Sequence, residues 1–286
     1  MQALFETRKF SRHDAWLAAV CIAAVNMLWP STGKTYSVRE SYAADFLLSN
    51  WLILFSIACA LFFVYQSYAQ QKDAQAESAT TMDWTVLAGV LMLSAWPIRH
   101  TSTLALSGIA FFLFYTIWKD RKLSGQRDYE LLAAASILFA ISFSRLWSPV
   151  LLKVFAVYFE IFDVFLLGKL LNSPTQGNTI AFLLEPNRRA LIVMGCTSFA
   201  NLSAVVLLWL VVIRLLRTVP RLKLELKVLV YLLLCAIAIN TLRISLMITT
   251  KDMYDLVHGP LGSSVTTLLL TLSAVGFAFW GAKRVE

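Results

Sequence analysis

Leu191–Ile213 reads LIVMGCTSFANLSAVVLLWLVVI, an apolar run that opens on a cysteine and then carries Thr197, Ser198, Asn201 and Ser203 within two helical turns. Taken as one helix it is long enough to cross a hydrocarbon core of about 30 Å. Hydrogen-bonding side chains at membrane depth cost free energy unless they are partnered, so the Cys196 end is expected to face protein or a wet cavity rather than acyl chains. Two further groups that lipid does not tolerate unpartnered follow downstream: Arg243 within INTLRISLMI and His258 within YDLVHGPLG.

The rest of the chain fits that reading. Of 286 residues, 58% are hydrophobic and only 15% charged, a balance that excludes an ordinary soluble domain and points to an integral membrane protein. Hydropathy places eight spans: Ala15–Trp29, Phe46–Tyr65, Trp84–Trp96, Ser102–Trp118, Leu131–Trp147, Leu191–Ile213, Val228–Thr249 and Leu261–Trp280. Several are bracketed by Trp or Tyr, as suits side chains that prefer the headgroup level. The expected fold is therefore an all-α, multi-pass transmembrane bundle forming one integral membrane domain over residues 1–286. Within it, 1–147 is a five-span part and 148–286 a second part. The first span follows Arg8, Lys9 and Arg12 and shows no small-residue cleavage site, so it is expected to be retained. Gln66–Asp83 is polar and alanine-rich and reads as a solvated loop.

The net charge of +8 is dispersed over the loops between spans, so it reads as topology rather than as a nucleic-acid surface. Four cysteines, Cys21, Cys59, Cys196 and Cys235, lie in apolar runs without the spacing of a disulfide framework or a zinc site. No metal site or cofactor is expected. Val150–Leu171 is apolar but carries Lys153, Glu160, Asp163 and Lys169. If it does not span, the loops with Arg121, Lys122 and Arg127, and with Arg214, Arg217, Arg221, Lys223 and Lys227, fall on the same side as the basic N-terminus and as Lys283 and Arg284. That satisfies the positive-inside rule, so the segment is expected to be an amphipathic helix in the outer interface, or re-entering from it. A polar loop and a short extended hairpin then lead to Leu191. Both termini are expected to be cytoplasmic. Counted at about 1.5 Å per residue from the basic loop, Cys196 and Arg243 stand roughly 27 Å and 24 Å above the inner surface, with His258 at or slightly above that level.

The C-terminal part resembles the exosortase and archaeosortase family of membrane transpeptidases. The resemblance rests on Gly177-Asn178-Thr179-Ile180 ahead of the cysteine, on Cys196 itself, on Asn240-x-x-Arg243, and on His258 with Gly262 four residues later. It covers roughly Val150–Trp280. Many exosortases have Cys-Ser-Gly where this chain has Cys196-Thr197-Ser198. The resemblance implies a cysteine protease and transpeptidase of the cell inner membrane, its site facing outward. Its substrates would be exported proteins that end in a short motif, one transmembrane helix and a basic tail. Cys196 would be the nucleophile that forms a thioester, Arg243 the stabiliser of thiolate and oxyanion, and His258 the general acid and base. Asn240, Ser198 and Asn178 would support them, with Asn240 orienting Arg243.

The residues carry other readings as well. Cys21, Cys59 and Cys235 read as small core hydrophobes. Arg243 is also suited to a structural pairing with Asp252 or Asp255. Glu160 and Asp163 suit a basic substrate tail or, more simply, a solvated polar face; Arg188 and Arg189 suit lipid headgroups or an acidic sorting motif. A small membrane transporter or a non-catalytic membrane subunit is the alternative function. A transporter would place broken helices near the bilayer middle, whereas this polar cluster lies at one edge.

Overall fold

A computed structural model of the chain describes residues 11–28, 42–71, 78–96, 101–124, 128–217 and 219–283. Arg8, Lys9, Trp29, Arg127 and Arg284, which enter the topology argument, lie outside them. The chain divides into two compact units, Met1–Leu146 and Trp147–Glu286.

The first unit is built from α1 (Arg12–Leu28), α2 (Tyr42–Gln71), α3 (Thr81–Ala95), α4 (Thr101–Ser124) and α5 (Tyr129–Ser142). α5 packs on α2 and α4 through a face of small and branched residues, Leu131, Ala133, Ala134, Ile137, Leu138 and Ile141, all buried. Small residues let helix backbones approach closely where lipid supplies no hydrophobic drive. The expected loop Gln66–Asp83 is shorter than its composition suggested. α2 continues to Gln71, and α3 begins at Thr81 with a capping box in which Thr80 and Asp83 exchange side-chain-to-backbone bonds. Asp83 is also buried against Trp16, whose Nε1 donates to it at 3.0 Å.

The second unit begins where α5 continues through a π-turn at Phe143–Trp147 into α6 (Ser148–Val154). α7 (Ala156–Leu171) follows after a break at Phe155. The expected single helix Val150–Leu171 is thus two, and its first part prolongs the preceding span, since Tyr129–Val154 is one of the apolar stretches long enough to cross a membrane. α7 also corrects the expected solvated polar face. Val157, Tyr158, Ile161, Phe162, Phe165 and Leu170 are exposed, with Lys169 the one exposed charge of the helix, while Asp163 is 1% exposed. Its apolar side faces outward and its carboxylate faces the protein.

α7 ends at Asn172, which adopts the left-handed conformation (φ 49°) that closes helices. Three short strands follow, β1 (Thr175–Gln176), β2 (Thr179–Ala181) and β3 (Arg189–Leu191), in an antiparallel sheet of order β1-β2-β3. The turn between β1 and β2 is Gly177-Asn178 with Gly177 at φ +58°, the positive value a two-residue hairpin with a leading glycine requires. The remaining helices are α8 (Leu202–Leu216), α9 (Leu222–Met247), α10 (Lys251–His258) and α11 (Pro260–Lys283). α11 packs on both α8 and α9.

The opening stretch therefore departs from a single span. Leu191 closes β3, Met194–Cys196 is one 3-10 turn, and the helix begins only at Leu202. Its 15 residues rise about 22 Å, less than a hydrocarbon core. Four stretches among the described residues are long and apolar enough to cross a membrane: Asn50–Gln70, Thr101–Lys122, Tyr129–Val154 and Pro260–Lys283. Trp51, Tyr65, Trp84, Trp96, Trp118 and Trp147 are all exposed. The chain is an all-α fold of membrane-protein character with one small sheet.

Candidate active site

Backbone that leaves a helix inside an apolar unit needs partners for its N–H and C=O groups. The Cys196 segment finds them on two helices. Asp163 of α7 accepts the Ser198 N–H at Oδ2 and the Ser198 hydroxyl at Oδ1, each at 2.7 Å. Asn240 of α9 donates from Nδ2 to the Cys196 carbonyl at 2.9 Å and approaches Ser198 Oγ at 3.3 Å. Within the segment, the Cys196 N–H bonds Val193 O at 2.8 Å and the Thr197 N–H bonds Met194 O at 3.1 Å. These bonds replace the helical ladder, which is why an apolar run this long is not helical from Leu191.

The sheet is tied to the same place. Asn178 in the hairpin turn donates to Glu160 Oε2 at 3.1 Å and to Ile192 O at 3.4 Å, while the Ile192 N–H returns to Asn178 O at 2.9 Å. Beyond β2, the Leu183 and Leu184 N–H groups bond Ile248 O and Thr249 O at the end of α9. Val164, Leu167, Ile180, Phe182, Ile192, Cys196, Ile244 and Ile248 form one buried apolar cluster. Cys196 is thus seated in a wall built from α7, the sheet and α9, with 4% of its surface exposed.

α10 closes the site. It is capped by Thr250, whose hydroxyl accepts the Met253 N–H at 3.2 Å, and it ends at His258. His258 Nδ1 stands 3.7 Å from Cys196 Sγ, and its exposed ring stacks on Tyr254 at 5.2 Å between centroids and 17° between planes. Tyr254 in turn meets Phe182 edge-on at 6.2 Å. The next turn of chain is held tight by Gly262. A Cβ there would lie 2.1 Å from Val257 O, so no side chain fits without moving the end of α10 and with it His258.

Arg243 completes the arrangement. It is half-buried, its Nε is buried without a hydrogen-bond partner, and no ion pair holds its guanidinium among the described residues. Asp252 and Asp255 do not serve it; Asp255 pairs with Lys251. Burial pushes the Cys196 thiol above its ordinary value, while the Arg243 charge and a backbone hydrogen bond at Val193 act in the opposite direction. Burial thus disfavours the thiolate, and the groups that counter it are the Arg243 charge and the imidazole beside the sulfur.

The structure brings Cys196, Ser198, Asn240 and His258 into contact, with Arg243 near enough for its charge to act on the thiol. Asn240 does not orient Arg243, as the one-turn spacing suggested, but holds the cysteine backbone. Asp163 is buried and bonded to Ser198 rather than part of a solvated face, while Glu160 is half-buried and accepts from Asn178 at Oε2. Arg188 and Arg189 are exposed, one paired with Glu185 at 3.0 Å and the other bonded to Gln176 at 2.7 Å. The positioning role of Asp163 was missed, although an acid flanked by Phe162 and Val164 in an apolar stretch is itself a signal of a buried polar contact. Among the described residues, no three His, Cys, Asp or Glu side chains gather in a way that would hold a metal ion. No protein-family model, curated protein or solved structure matches the chain.

Proposed function

We propose that this chain is a membrane-embedded cysteine peptidase and transpeptidase of the exosortase type, acting on the C-terminal sorting signal of membrane-tethered exported proteins. The observation that carries the reading is the pairing of Cys196 Sγ with His258 Nδ1 at 3.7 Å beside an arginine that has no anion of its own. A structural cysteine needs neither neighbour.

The chemistry follows from the groups. The thiol passes its proton to His258 Nδ1, which must be the unprotonated nitrogen, as sulfur attacks a substrate carbonyl. The oxygen that becomes negative is met by Arg243, a planar donor whose buried Nε has no other partner. His258 returns the proton to the leaving amine and the C–N bond breaks, leaving a Cys196 thioester. An acceptor nucleophile, deprotonated by the same imidazole, then cleaves the thioester and restores the thiol. Because burial disfavours the thiolate, His258 does the activating and Arg243 acts chiefly on the oxyanion.

The topology in this reading has eight spans, with α6 prolonging the fifth, α7 in or re-entering from the outer interface, both termini cytoplasmic and the thiol outward. The lipid-facing character of α7 supports an interfacial position, because its exposed side is apolar. The 4% exposure of Cys196 and its place in an apolar cluster favour a second reading, a non-catalytic membrane subunit with a packed cysteine. Cys196→Ala separates the two. In the peptidase reading, co-expressed exported proteins carrying a terminal motif, one span and a basic cluster stay unprocessed while the variant inserts normally, and Cys196→Ser does not restore processing. Parent-level processing by the alanine variant rejects the peptidase reading.

A further inference from the structure

His258 faces the sulfur with one nitrogen, and a hydrogen bond is not what turns its ring that way. Nδ1 stands 3.7 Å from Cys196 Sγ, whereas Nε2 bonds no described residue. The side chain is exposed and leaves the last residue of α10. An exposed histidine on a helix has about two χ1 wells and about two orientations about χ2 open to it, so an unrestrained ring turns Nδ1 to the sulfur about a quarter of the time.

A ring contact removes that freedom. Tyr254 lies one turn earlier on the same side of α10, four residues before His258. The two planes are 17° apart with centroids at 5.2 Å, an offset stack of the kind aromatic pairs prefer. Tyr254 is itself held. It is half-buried against the apolar cluster that contains Cys196, meets the buried Phe182 edge-on at 6.2 Å, and has the Lys251 ammonium 5.2 Å from its ring centre. Each of these contacts is made by the ring rather than by the hydroxyl. An aromatic face also attracts cations, so the stack persists when the imidazole takes up the thiol proton. Charge does not do the orienting. The charged groups on the helices around the imidazole are Arg243 of α9 and Lys251, Asp252 and Asp255 of α10, none of which bonds it, and α11, packed on α10, carries no charge before Lys283.

We propose that Tyr254 is the positioning residue of the catalytic imidazole: seated on Phe182, its ring stacks on His258 and keeps Nδ1 turned to the sulfur. The role rests on the peptidase reading, but its test does not need a substrate. Iodoacetamide labelling of Cys196 is measured at neutral pH with Cys21, Cys59 and Cys235 as serine. The parent, Tyr254→Leu and Tyr254→Phe are each compared with His258 present and with His258→Ala, as a double-mutant cycle.

Tyr254→Leu is expected to label about fourfold more slowly than the parent where His258 is present, as the freed ring spreads over its rotamers, and at an unchanged rate where it is alanine. Tyr254→Phe, which keeps the ring, labels as the parent does. Any loosening of the wall around Cys196 acts in both backgrounds and cancels in the cycle. If leucine lowers the thermal midpoint, Tyr254→Met, which refills the space, takes its place. Equal effects in the two backgrounds, a phenylalanine variant as slow as the leucine one, or a parent no faster than His258→Ala overturns the role. Processing of the tethered exported protein is read alongside. Coupling in the labelling without processing by the parent keeps the positioning and rejects the peptidase reading; processing by the parent without coupling does the reverse.

Discussion

Replacing Asp163 separates what a buried carboxylate does for stability from what it does for position. Its two bonds to Ser198, both 2.7 Å, would each contribute about 1.5–3 kcal/mol if the acceptor's charge were free of cost. It is not free: burial pushes the Asp163 carboxyl above its usual range in spite of both bonds. The net effect on global stability is therefore small, while the local hold on the cysteine segment is large. Asp163→Asn removes the charge and keeps a carbonyl for the Ser198 N–H, so unfolding should shift by no more than about 1 kcal/mol. Asp163→Ala leaves that N–H buried without an acceptor, a loss of about 1–3 kcal/mol. Because about 1.4 kcal/mol is a factor of ten in an opening equilibrium, Cys196 in the alanine variant should alkylate about tenfold faster than in the parent. The assay is iodoacetamide labelling in a background where Cys21, Cys59 and Cys235 are serine, with thermal unfolding alongside. The raised carboxyl also fixes a sign. Its contribution is complete below the usual carboxylate value and is lost as pH rises through the raised one, so the parent should lose stability relative to the asparagine variant over that interval. An alanine variant with the parent's labelling rate and unfolding midpoint would refute the positioning role.

Gly262→Ala should destabilise the protein by about 1–3 kcal/mol, because its Cβ would lie 2.1 Å from Val257 O, and processing should fall with the displacement of His258; unfolding and processing measured together check this. Arg243→Lys should insert normally yet process substrate some hundredfold to thousandfold more slowly, since an oxyanion donor that loses its place typically costs about 3 to 4 kcal/mol of barrier. Near-parent activity would reduce Arg243 to a counter-ion. The rate of Cys196 alkylation should rise with pH through a midpoint above that of an ordinary thiol, because burial raises the group, and Arg243→Gln should move the midpoint higher still by removing the charge that lowers it. A midpoint unchanged by that substitution would show that Arg243 does not act on the thiol.

The helices of the first unit were legible because apolar length and flanking aromatics mark a span whatever it packs against. The Gly177-Asn178 turn was legible as local chemistry. Leu191–Ile213 was not, since an apolar run reads alike as strand, turn or helix, and what unwinds this one comes from Asp163 and Asn240, far along the chain. The depth argument assumed a helical rise through Cys196, so it does not hold; His258 instead reaches the thiol because α10 folds back at the end of α9. In the sequence Glu160 and Asp163 suit a solvated face or a basic substrate tail, because charge in an apolar helix suggests water or a counter-charge. In α7 the exposed face is apolar apart from Lys169, and the carboxylates turn to Ser198 and Asn178.

The central claim is that Cys196 carries an acyl group. Its most direct test is to quench membranes co-expressing the chain with a tethered, signal-bearing exported protein, and to look for that protein linked to Cys196 through a bond cleaved by neutral hydroxylamine. The account predicts a hydroxylamine-sensitive adduct on Cys196 in the parent and none in Cys196→Ala or His258→Ala. Processing that continues in Cys196→Ala, with no adduct at any stage in the parent, would contradict it.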